Sequence, residues 1–242
     1  MLSFLLFLPF ILSEVTVVVN GGDPFDGINL CDAVNKSSNY TSSDYFPSVF
    51  ALSIINGTLL QSDLFNSGSR LFNTFPFLTT FYVGHNVEIE NNAIPPFSFE
   101  NMKMLTNVTI ENGLTTVGQS AFSNCGGLTS FSAKSVTVLE EGAFQSCANI
   151  YLNLPSLLSI GKRCFYDSDI SVCELPSLQN ISSEAFYQCD KLSSFVAPNV
   201  VSIDNFSFYG CTQLMILTFP KIIEMASACF YGCTSLTTIT LT

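Results

Sequence analysis

The stretch from Leu192 to Ser235 decides the fold, because it contains the same pattern twice in succession. Its first half, Leu192 to Gln213, reads LSSFVAPNVVSIDNFSFYGCTQ, and its second half, Leu214 to Ser235, reads LMILTFPKIIEMASACFYGCTS. In both halves apolar residues stand at the first, fourth and sixth places, a proline follows, and a phenylalanine precedes a cysteine by three residues. Self-similarity at a fixed period is the signature of a repeat architecture.

The phenylalanine of this pattern recurs along most of the chain every 21 or 22 residues. A cysteine follows it three residues later in every copy but one, where Ser168 takes the place. A more divergent copy spans about Leu78 to Lys103, with Phe99 and Met102 in the two places. The matching pairs are Phe122/Cys125, Phe144/Cys147, Phe165/Ser168, Phe186/Cys189, Phe208/Cys211 and Phe230/Cys233.

A period of about 20 to 29 residues that begins L-x-x-L-x-L predicts a leucine-rich repeat. Residues such as Leu192, Phe195 and Ala197 point to one interior, and a single coil has too few of them to form a core alone. Pro198 ends the strand, because proline lacks the donor that a strand ladder needs. We therefore predict a leucine-rich repeat solenoid, a horseshoe-like right-handed β-solenoid. Its parallel strands would line the concave face, with short strands, turns or 3-10 segments on the convex face.

The A-F-x-x-C blocks, combined with a leucine and proline after the strand, resemble the BspA-like leucine-rich repeat family. The blocks include AFQSC (Ala143 to Cys147) and AFYQC (Ala185 to Cys189), and the resemblance covers about Leu78 to Thr242. Cys164, Cys229 and Ser207 replace the alanine with other small residues. The family occurs in surface proteins of oral bacteria and parasitic protists. The resemblance therefore implies adhesion to host matrix, host cells or other microbes.

The chain divides into three expected segments. Residues 78–242 are expected to be leucine-rich repeats of about 22 residues, the last one incomplete, and residues 14–77 to be divergent N-terminal coils or a cap. Residues 1–13 begin MLSFLLFLPFIL, an apolar run shorter than the roughly 20 residues that a membrane span needs. This run, with the small Ser13 at its end, favours a secretory signal peptide, and a buried first strand is the alternative. We expect membrane attachment only through an anchor that this chain does not contain.

Acceptor motifs for N-glycosylation, Asn-x-Ser/Thr, support the interpretation as a secreted chain. With the apolar leader, they predict a secreted or cell-surface glycoprotein. The candidate acceptors are Asn35, Asn39, Asn56, Asn107, Asn180 and Asn205.

The composition excludes one class of partner. Charged residues make up 11% of the 242 residues, against about 25% in ordinary soluble domains. The formal net charge of −11 leaves no basic surface for nucleic acid. We expect no nucleic-acid partner, and instead protein or glycan ligands outside the cell.

The residues give no support for catalysis. The chain has one histidine, His85, expected in a surface loop, and lacks the G-x-S-x-G, P-loop and H-E-x-x-H motifs. We therefore predict no enzyme, no catalytic residue and no cofactor.

Nine cysteines would suggest disulfides in a secreted protein. Because most of them hold one place in successive coils, we predict a column of buried, free thiols that act as small hydrophobes. Cys173 holds a core strand position, and Cys31 lies outside the repeats. A metal or redox site at Cys229 and Cys233 is the less favoured alternative, because zinc needs four converging ligands. We predict no metal site.

The candidate binding surface is the concave face, to which strand positions three and five point. Extended faces of solenoids bind ligands, and the hydroxyl and amide groups here suit hydrogen bonds to a peptide or glycan. Val172, Val196 and Ile216 form a candidate apolar patch, and the alternative is that Thr and Ser are present only as good strand formers. The candidate residues are Thr80, Tyr82, Asn107, Thr109, Ser130, Ser132, Val172, Glu174, Ser194, Val196, Ile216, Thr218, Thr238 and Thr240.

Three functions follow from these patterns. The first is a secreted or surface-displayed leucine-rich repeat protein that binds macromolecules. The second is an intracellular leucine-rich repeat scaffold or regulator, which would differ in compartment only. The third is an enzyme, for which only His85 and the pair Cys229 and Cys233 could be offered.

Overall fold

The computed structural model describes residues 75–241 and, further toward the N-terminus, the strands formed by residues 15–20, 49–59, 65–66 and 69–70. Side chains of these early strands are described only at positions 51–54. The proposed leader (residues 1–13), Cys31, Asn35 and Asn39 lie outside the described residues, as does the side chain of Asn56.

The chain forms a β-solenoid of about seven turns, as the repeat predicts. Each turn contributes one strand to each of two parallel sheets. The longer strands form the first sheet, which begins β1 (Val15–Asn20), β2 (Val49–Leu59), β5 (Thr80–Ile89), β7 (Asn107–Ile110), β9 (Ser130–Ala133) and β11 (Tyr151–Asn153). The same series continues with the pairs β13 (Val172–Glu174) with β15 (Ser194–Val196), and β17 (Ile216–Thr218) with β19 (Thr238–Thr240).

The second sheet has seven strands of two residues each, on the opposite side of the coil. Its strands pair in parallel with the next coil throughout, as Ser159 does with Asn180. An antiparallel pair, β3 (Phe65–Asn66) with β4 (Ser69–Arg70), stands apart. The seven strands are β6 (Ala93–Ile94), β8 (Thr116–Val117), β10 (Val138–Leu139), β12 (Ser159–Ile160), β14 (Asn180–Ile181), β16 (Ser202–Ile203) and β18 (Glu224–Met225).

Equivalent residues of successive repeats lie side by side, because the register between strands equals the sequence period. Asn107 pairs with Ser130, and Ser130 with Tyr151. Strands β1 and β2 extend the first sheet in the same parallel sense and lead into β5. The buried Leu52 and Ile54 of β2 add to the core.

A column of phenylalanine rings fills the centre of the solenoid. Neighbouring rings lie between 4.7 Å and 5.6 Å apart, centroid to centroid, and most pairs are nearly parallel. Strand residues such as Phe131 and Phe195 approach these rings edge-on. Offset-stacked and edge-on contacts are the arrangements that aromatic rings favour, at about 0.5–1.5 kcal/mol a pair beyond area burial. The column consists of Phe99, Phe122, Phe144, Phe165, Phe186, Phe208 and Phe230.

The turn around each of these phenylalanines has a left-handed residue two positions before it and another two positions after it. Around Phe165 these residues are Arg163 (φ 53°) and Asp167 (φ 53°). Left-handed backbone is unusual for residues other than glycine. In these turns, main-chain hydrogen bonds to the following coil stabilise the left-handed conformation. Examples run from Phe165 N to Ala185 O (2.8 Å) and from Asp167 N to Tyr187 O (2.8 Å).

Among the described residues, no helix is long and apolar enough to cross a membrane. The only helical element in this part of the chain is a single 3-10 turn, Glu90–Asn92.

Replacing a ring in the middle of the column tests its contribution to stability. Phe165 is fully buried, so Phe165→Ala should lower the free energy of unfolding by about 3–5 kcal/mol, through lost burial and the cavity that remains. The control is Phe206→Ala. Phe206 is exposed on the surface two coils further along the chain, so its replacement should lower the free energy of unfolding by under about 1 kcal/mol. Urea unfolding followed by circular dichroism measures both, and equal losses would contradict a structural role for the column.

Candidate binding face

The fourteen candidate residues from the sequence all lie on strands of the first sheet and point away from the core. They alternate along each strand with buried residues such as Val108, Phe131 and Cys173. Two rows result, since equivalent residues pair across the coils. We call these two rows the strand face. The first row contains Thr80, Asn107, Ser130, Val172, Ser194, Ile216 and Thr238, and the second contains Tyr82, Thr109, Ser132, Glu174, Val196, Thr218 and Thr240.

Two further residues belong to the strand face but were missed by the sequence analysis. Tyr151 pairs with Ser130 in the first row, and Asn153 pairs with Ser132 in the second. The connection from Cys147 to this strand is one residue shorter than in the coil before, which shifts the pattern. Counting back from the next core phenylalanine would have found them, because Tyr151 precedes Phe165 by 14 residues, as Ser130 precedes Phe144. Asn153 also donates a hydrogen bond from Nδ2 to Ser132 Oγ at 3.0 Å.

The strand face has two chemically different halves. From Thr80 to Ser132 its residues are mainly hydroxyl and amide side chains. From β11 onward large apolar groups are exposed: Tyr151 at 69%, Val172 at 49%, Val196 at 50% and Ile216 at 60% of their surface. We call the part of the strand face from Tyr151 to Thr240 the C-terminal half.

Two depressions lie in the C-terminal half, each where the ladder of the first sheet is interrupted. Among the described strands no ladder joins β11 to β13 or β15 to β17. The first depression, of about 470 Å³, lies at the β11/β13 break, and the second, of about 490 Å³, at the β15/β17 break. The first is lined by Tyr151, Asn153, Pro155, Val172, Glu174 and Pro176, and the second by Ser194, Val196, Pro198, Met215, Ile216 and Thr218.

The strand face is almost without charge. Glu174 is the only charged residue among the described members of its two rows. The ion pairs Arg163–Glu184 (2.7 Å) and Lys191–Asp169 (2.6 Å) belong to turns outside those rows. The Glu174 carboxylate therefore dominates the local electrostatics of the first depression.

Comparison with known proteins identifies the repeat. A family model described as the BspA type leucine rich repeat region matches residues 68–192 and 158–242, in six copies. The chain belongs to the BspA-type leucine-rich repeat family. Comparison with curated proteins gave no match.

One solved bacterial leucine-rich repeat protein shares the fold, and two others match with lower scores. The T. pallidum leucine-rich repeat protein is 20% identical, with a TM-score of 0.56, over 83% of this chain and 89% of that one. The pneumococcal vaccine antigen PcpA is 14% identical over 81% of this chain and 65% of that one, with a TM-score of 0.38. A leucine-rich cell surface protein from Faecalibacterium prausnitzii is 16% identical over 84% and 86%, with a TM-score of 0.31.

The cysteine of the BspA-type repeat acts as a hydrogen-bond donor between coils. Its Sγ donates to the carbonyl oxygen of the phenylalanine one coil earlier, as from Cys147 to Phe122 O (3.2 Å) and from Cys189 to Phe165 O (3.0 Å). Ser168 makes the equivalent bond to Phe144 O at 2.8 Å, which explains why serine can replace cysteine there. The place requires a small side chain that both fits the core and donates a hydrogen bond.

All the described cysteines are free, and all are buried except the partly exposed Cys233. Burial raises the pKa of the Cys125 thiol to about 12. Burial likewise raises the pKa of the thiols of Cys147, Cys164 and Cys189. In the described part of the chain, no three His, Cys, Asp or Glu side chains converge as metal ligands.

His85 lies inside β5, so the expectation that it occupies a surface loop is wrong. Strand β5 is ten residues long and continues through the divergent copy, where the later repeats have only three or four strand residues. The exposed imidazole lies 3.5 Å from the Glu111 carboxylate, Nε2 to Oε2. It borders a depression whose described lining contains asparagine and glutamate but neither serine nor cysteine.

A column of tyrosines on the flank of the solenoid was also missed. Tyr166, Tyr187, Tyr209 and Tyr231 each follow the core phenylalanine, and their rings stack at 4.9, 4.5 and 5.3 Å. The recurrence of Tyr after Phe in four successive copies was visible in the sequence. Arg163 lies over the first ring at 5.8 Å from its centroid. Since the rings cover one another, the column mainly stabilises the stacking of coils.

Three of the candidate glycosylation acceptors have described side chains, and all three are exposed. Asn180 lies on the second sheet, where its Oδ1 accepts a hydrogen bond from Ser202 Oγ at 2.9 Å, and Asn205 lies in the turn after β16. Asn107 lies on the strand face in β7. A glycan on Asn107 would cover the polar half and leave the C-terminal half open.

The buried thiols should make stability depend on pH in one direction. In the unfolded chain they ionise near their ordinary pKa of 9.0, whereas in the folded protein the pKa is raised. Ionisation of these thiols should therefore leave the free energy of unfolding unchanged below about pH 8. This free energy should fall as the pH rises above 9 toward the folded pKa, by up to about 1.4 kcal/mol per pH unit for each buried thiol.

Urea unfolding from pH 7 to pH 10.5 in a thiol-free reductant measures this slope. Cys125→Ser and Cys189→Ser should each flatten it, whereas Cys233→Ser, at a partly exposed position, should not. An unchanged slope in the first two variants would show that tyrosine and lysine titration alone explains the pH dependence.

Proposed function

We propose that this protein is secreted or displayed on the cell surface and binds a macromolecule through the C-terminal half of the strand face. Its role would be adhesion, to host matrix, host cells or other microbes, and it would act by binding without catalysing a reaction. Membership of the BspA-type family and the exposed acceptor residues support this proposal.

The observation that carries the proposal is the concentration of exposed apolar side chains around two depressions on one sheet surface. Tyr151, Val172, Val196 and Ile216 are each about half exposed or more, and they lie on successive strands. Scattered single apolar residues are ordinary on protein surfaces, but a contiguous group with polar surroundings marks an interaction site. Aromatic and aliphatic anchors in shallow pockets supply most of the energy of such interfaces.

The chemistry of the surface indicates its ligand. Exposed hydroxyl and amide groups next to apolar depressions suit an extended polypeptide or a glycan chain lying across the strands. Glu174 would favour a ligand that places a cationic group in the first depression. Because the rest of the face lacks charge, binding should depend only weakly on salt concentration.

A pair of isoleucines in one coil tests the surface. Ile216 projects from the C-terminal half of the strand face, and Ile223, 79% exposed, lies on the other side of the same coil next to β18. Ile216→Lys should reduce binding to immobilised matrix proteins, host cells or a glycan array at least about tenfold, because it places a charge in an apolar contact. Ile223→Lys should bind as the unchanged protein does.

Surface plasmon resonance on the immobilised probe that gives the strongest signal would measure both variants. Circular dichroism melts should first show equal folding. If the unchanged protein binds none of these probes, adhesion is wrong. If both lysine variants bind equally well, the ligand contacts another surface.

The free thiols favour a second candidate function, an intracellular scaffold or regulator. Reduced cysteines persist in the cytosol, whereas an oxidising compartment favours disulfides. This protein would bind through the same strand face, so only the compartment distinguishes the two proposals.

Mass spectrometry of the protein isolated from its native source distinguishes them. A secreted protein should begin near residue 14 and carry glycans on exposed acceptors such as Asn180 and Asn205. An intact Met1 with both asparagines unmodified would favour the intracellular protein. Treatment with a peptide N-glycosidase, which converts a glycosylated asparagine to aspartate, is the control for the assignment.

A further inference from the structure

The cysteine column contains three pairs of cysteines in neighbouring coils, with closely similar geometry. In each pair one phenylalanine carbonyl accepts hydrogen bonds from the N–H of the first cysteine and from the thiol of the second. For Cys211 and Cys233 this acceptor is Phe208 O, at 3.2 Å from Cys211 N and 3.0 Å from Cys233 Sγ. The second thiol is thereby held against the backbone of the first cysteine. The other pairs are Cys125 with Cys147 and Cys189 with Cys211.

The pair Cys211 and Cys233 differs from the others in accessibility. Cys125, Cys147, Cys189 and Cys211 are all buried, whereas Cys233 is partly exposed to solvent. Exposed, ionisable thiols are the ones that react with disulfides and oxidants, and buried thiols are inert. Only the pair that contains Cys233 therefore combines a neighbouring thiol with access from solvent, among the described cysteines.

In the neutral pair each thiol donates to a phenylalanine carbonyl, Cys211 to Phe186 O at 3.1 Å and Cys233 to Phe208 O at 3.0 Å, and the two side chains are neighbours in the column. Once Cys233 ionises, the Cys211 thiol can donate to it instead of to Phe186 O, and this interaction lowers the pKa of Cys233. The same interaction, together with burial, raises the pKa of Cys211. The accessible Cys233 is thus the better nucleophile, and the buried Cys211 remains protonated until a mixed disulfide has formed at Cys233.

We propose that Cys211 and Cys233 are a redox pair that forms a disulfide between neighbouring coils when the protein meets a low-molecular-weight disulfide such as oxidised glutathione. The Cys233 thiolate attacks one sulfur of glutathione disulfide, forms a mixed disulfide and releases one glutathione thiolate. Cys211 then loses its proton to solvent, and its sulfur attacks Cys233 Sγ and expels the second glutathione. Two protein thiols are oxidised, and one glutathione disulfide is reduced to two glutathione molecules.

The bond would fix the coil that contains Thr238 and Thr240 to the coil that contains Ile216. Main-chain hydrogen bonds from Thr237 N and Thr238 N to Met215 O, at 3.0 and 3.4 Å, already join these coils. A covalent link would oppose separation of the two coils, because it removes the freedom that separation gains. It would therefore hold the last part of the strand face in place under oxidising conditions.

Peptide mapping of the full 242-residue chain tests the pair. The native protein is incubated with oxidised and reduced glutathione at several ratios, its remaining thiols are alkylated, and it is digested with trypsin without reduction. Cleavage after Lys191 and Lys221 separates Cys211, in peptide 192–221, from Cys233, in peptide 222–242. The expected product is a disulfide-linked species of these two peptides.

Cys125 and Cys147 are an internal control, because they lie in the tryptic peptides 104–134 and 135–162 and have the same hydrogen-bond geometry without access. At one glutathione ratio, the linked peptides of Cys211 and Cys233 should exceed those of the control pair at least about tenfold. Amides of Thr237 and Thr238 should exchange hydrogen more slowly in the oxidised protein than in the reduced protein.

Variants identify the partner of Cys233. Cys233→Ser should abolish the link and still fold, since serine occupies the equivalent place at Ser168. Cys229→Ser should leave the link intact, although Cys229 lies in the same tryptic peptide. The proposal is overturned if the link depends on Cys229, if the control pair oxidises equally, or if Cys233 retains glutathione without forming a link. It is also overturned if native protein forms no link while unfolded protein oxidises.

Discussion

The structure depends on one contact that recurs in every coil: a phenylalanine ring stacked on the ring of the next coil, with its carbonyl oxygen held by a small donor from that coil. The rings of Phe144 and Phe165 lie 5.6 Å apart, and Phe144 O accepts a hydrogen bond from Ser168 Oγ at 2.8 Å. The ring supplies the buried apolar area. The thiol or hydroxyl adds a hydrogen bond from the next coil to a buried carbonyl that, as at Phe165 and Phe208, also accepts a main-chain N–H of its own coil. Because a polar side chain buried at this position needs a partner and the carbonyl supplies it, Phe and a small donor, Cys or Ser, recur together.

This contact fixes the register of the coils, and the register builds the strand face. When Phe195 and Leu217 point inward, their neighbours Val196, Ile216 and Thr218 must point outward, since successive strand residues alternate. The strand face is therefore a consequence of the core pattern. Its residues are free to vary because they take no part in the phenylalanine contact.

The sequence predicted the fold and the outward rows well because both follow from the period. The core column, the turns after the strands and the free cysteines of the described repeats could be predicted because their residues recur at fixed positions of the repeat. Tyr151 and Asn153 were missed because one residue is absent from the connection before β11. His85 was misplaced because β5 continues beyond the short strand of the repeat, in a copy whose pattern is weak.

The two depressions could not be predicted, because they depend on breaks between strands rather than on residue pattern. The break between β11 and β13 lies next to the shortened connections, and a side-chain hydrogen bond from Ser171 Oγ to Asn149 Oδ1 (2.8 Å) crosses between these coils. Nothing in the spacing marks the break between β15 and β17, where the repeats keep their usual length. The missing ladder between these two adjacent strands is therefore a feature of the folded chain that the residue pattern does not encode.

The low charge of the chain follows from the same in-register stacking. A charged residue at a fixed place in the repeat would lie about 4.8 Å from its copy in the next coil, and like charges so placed repel each other. Neutral donors avoid this cost and bond the coils together, as when Thr129 Oγ1 donates to Thr106 O and Ser193 Oγ donates to Ser171 O. Charges remain where the sign alternates between coils, as in Arg163 with Glu184 and Asp169 with Lys191. The scarcity of Lys, Arg, Asp and Glu is thus a property of the solenoid, and the neutral strand face inherits it.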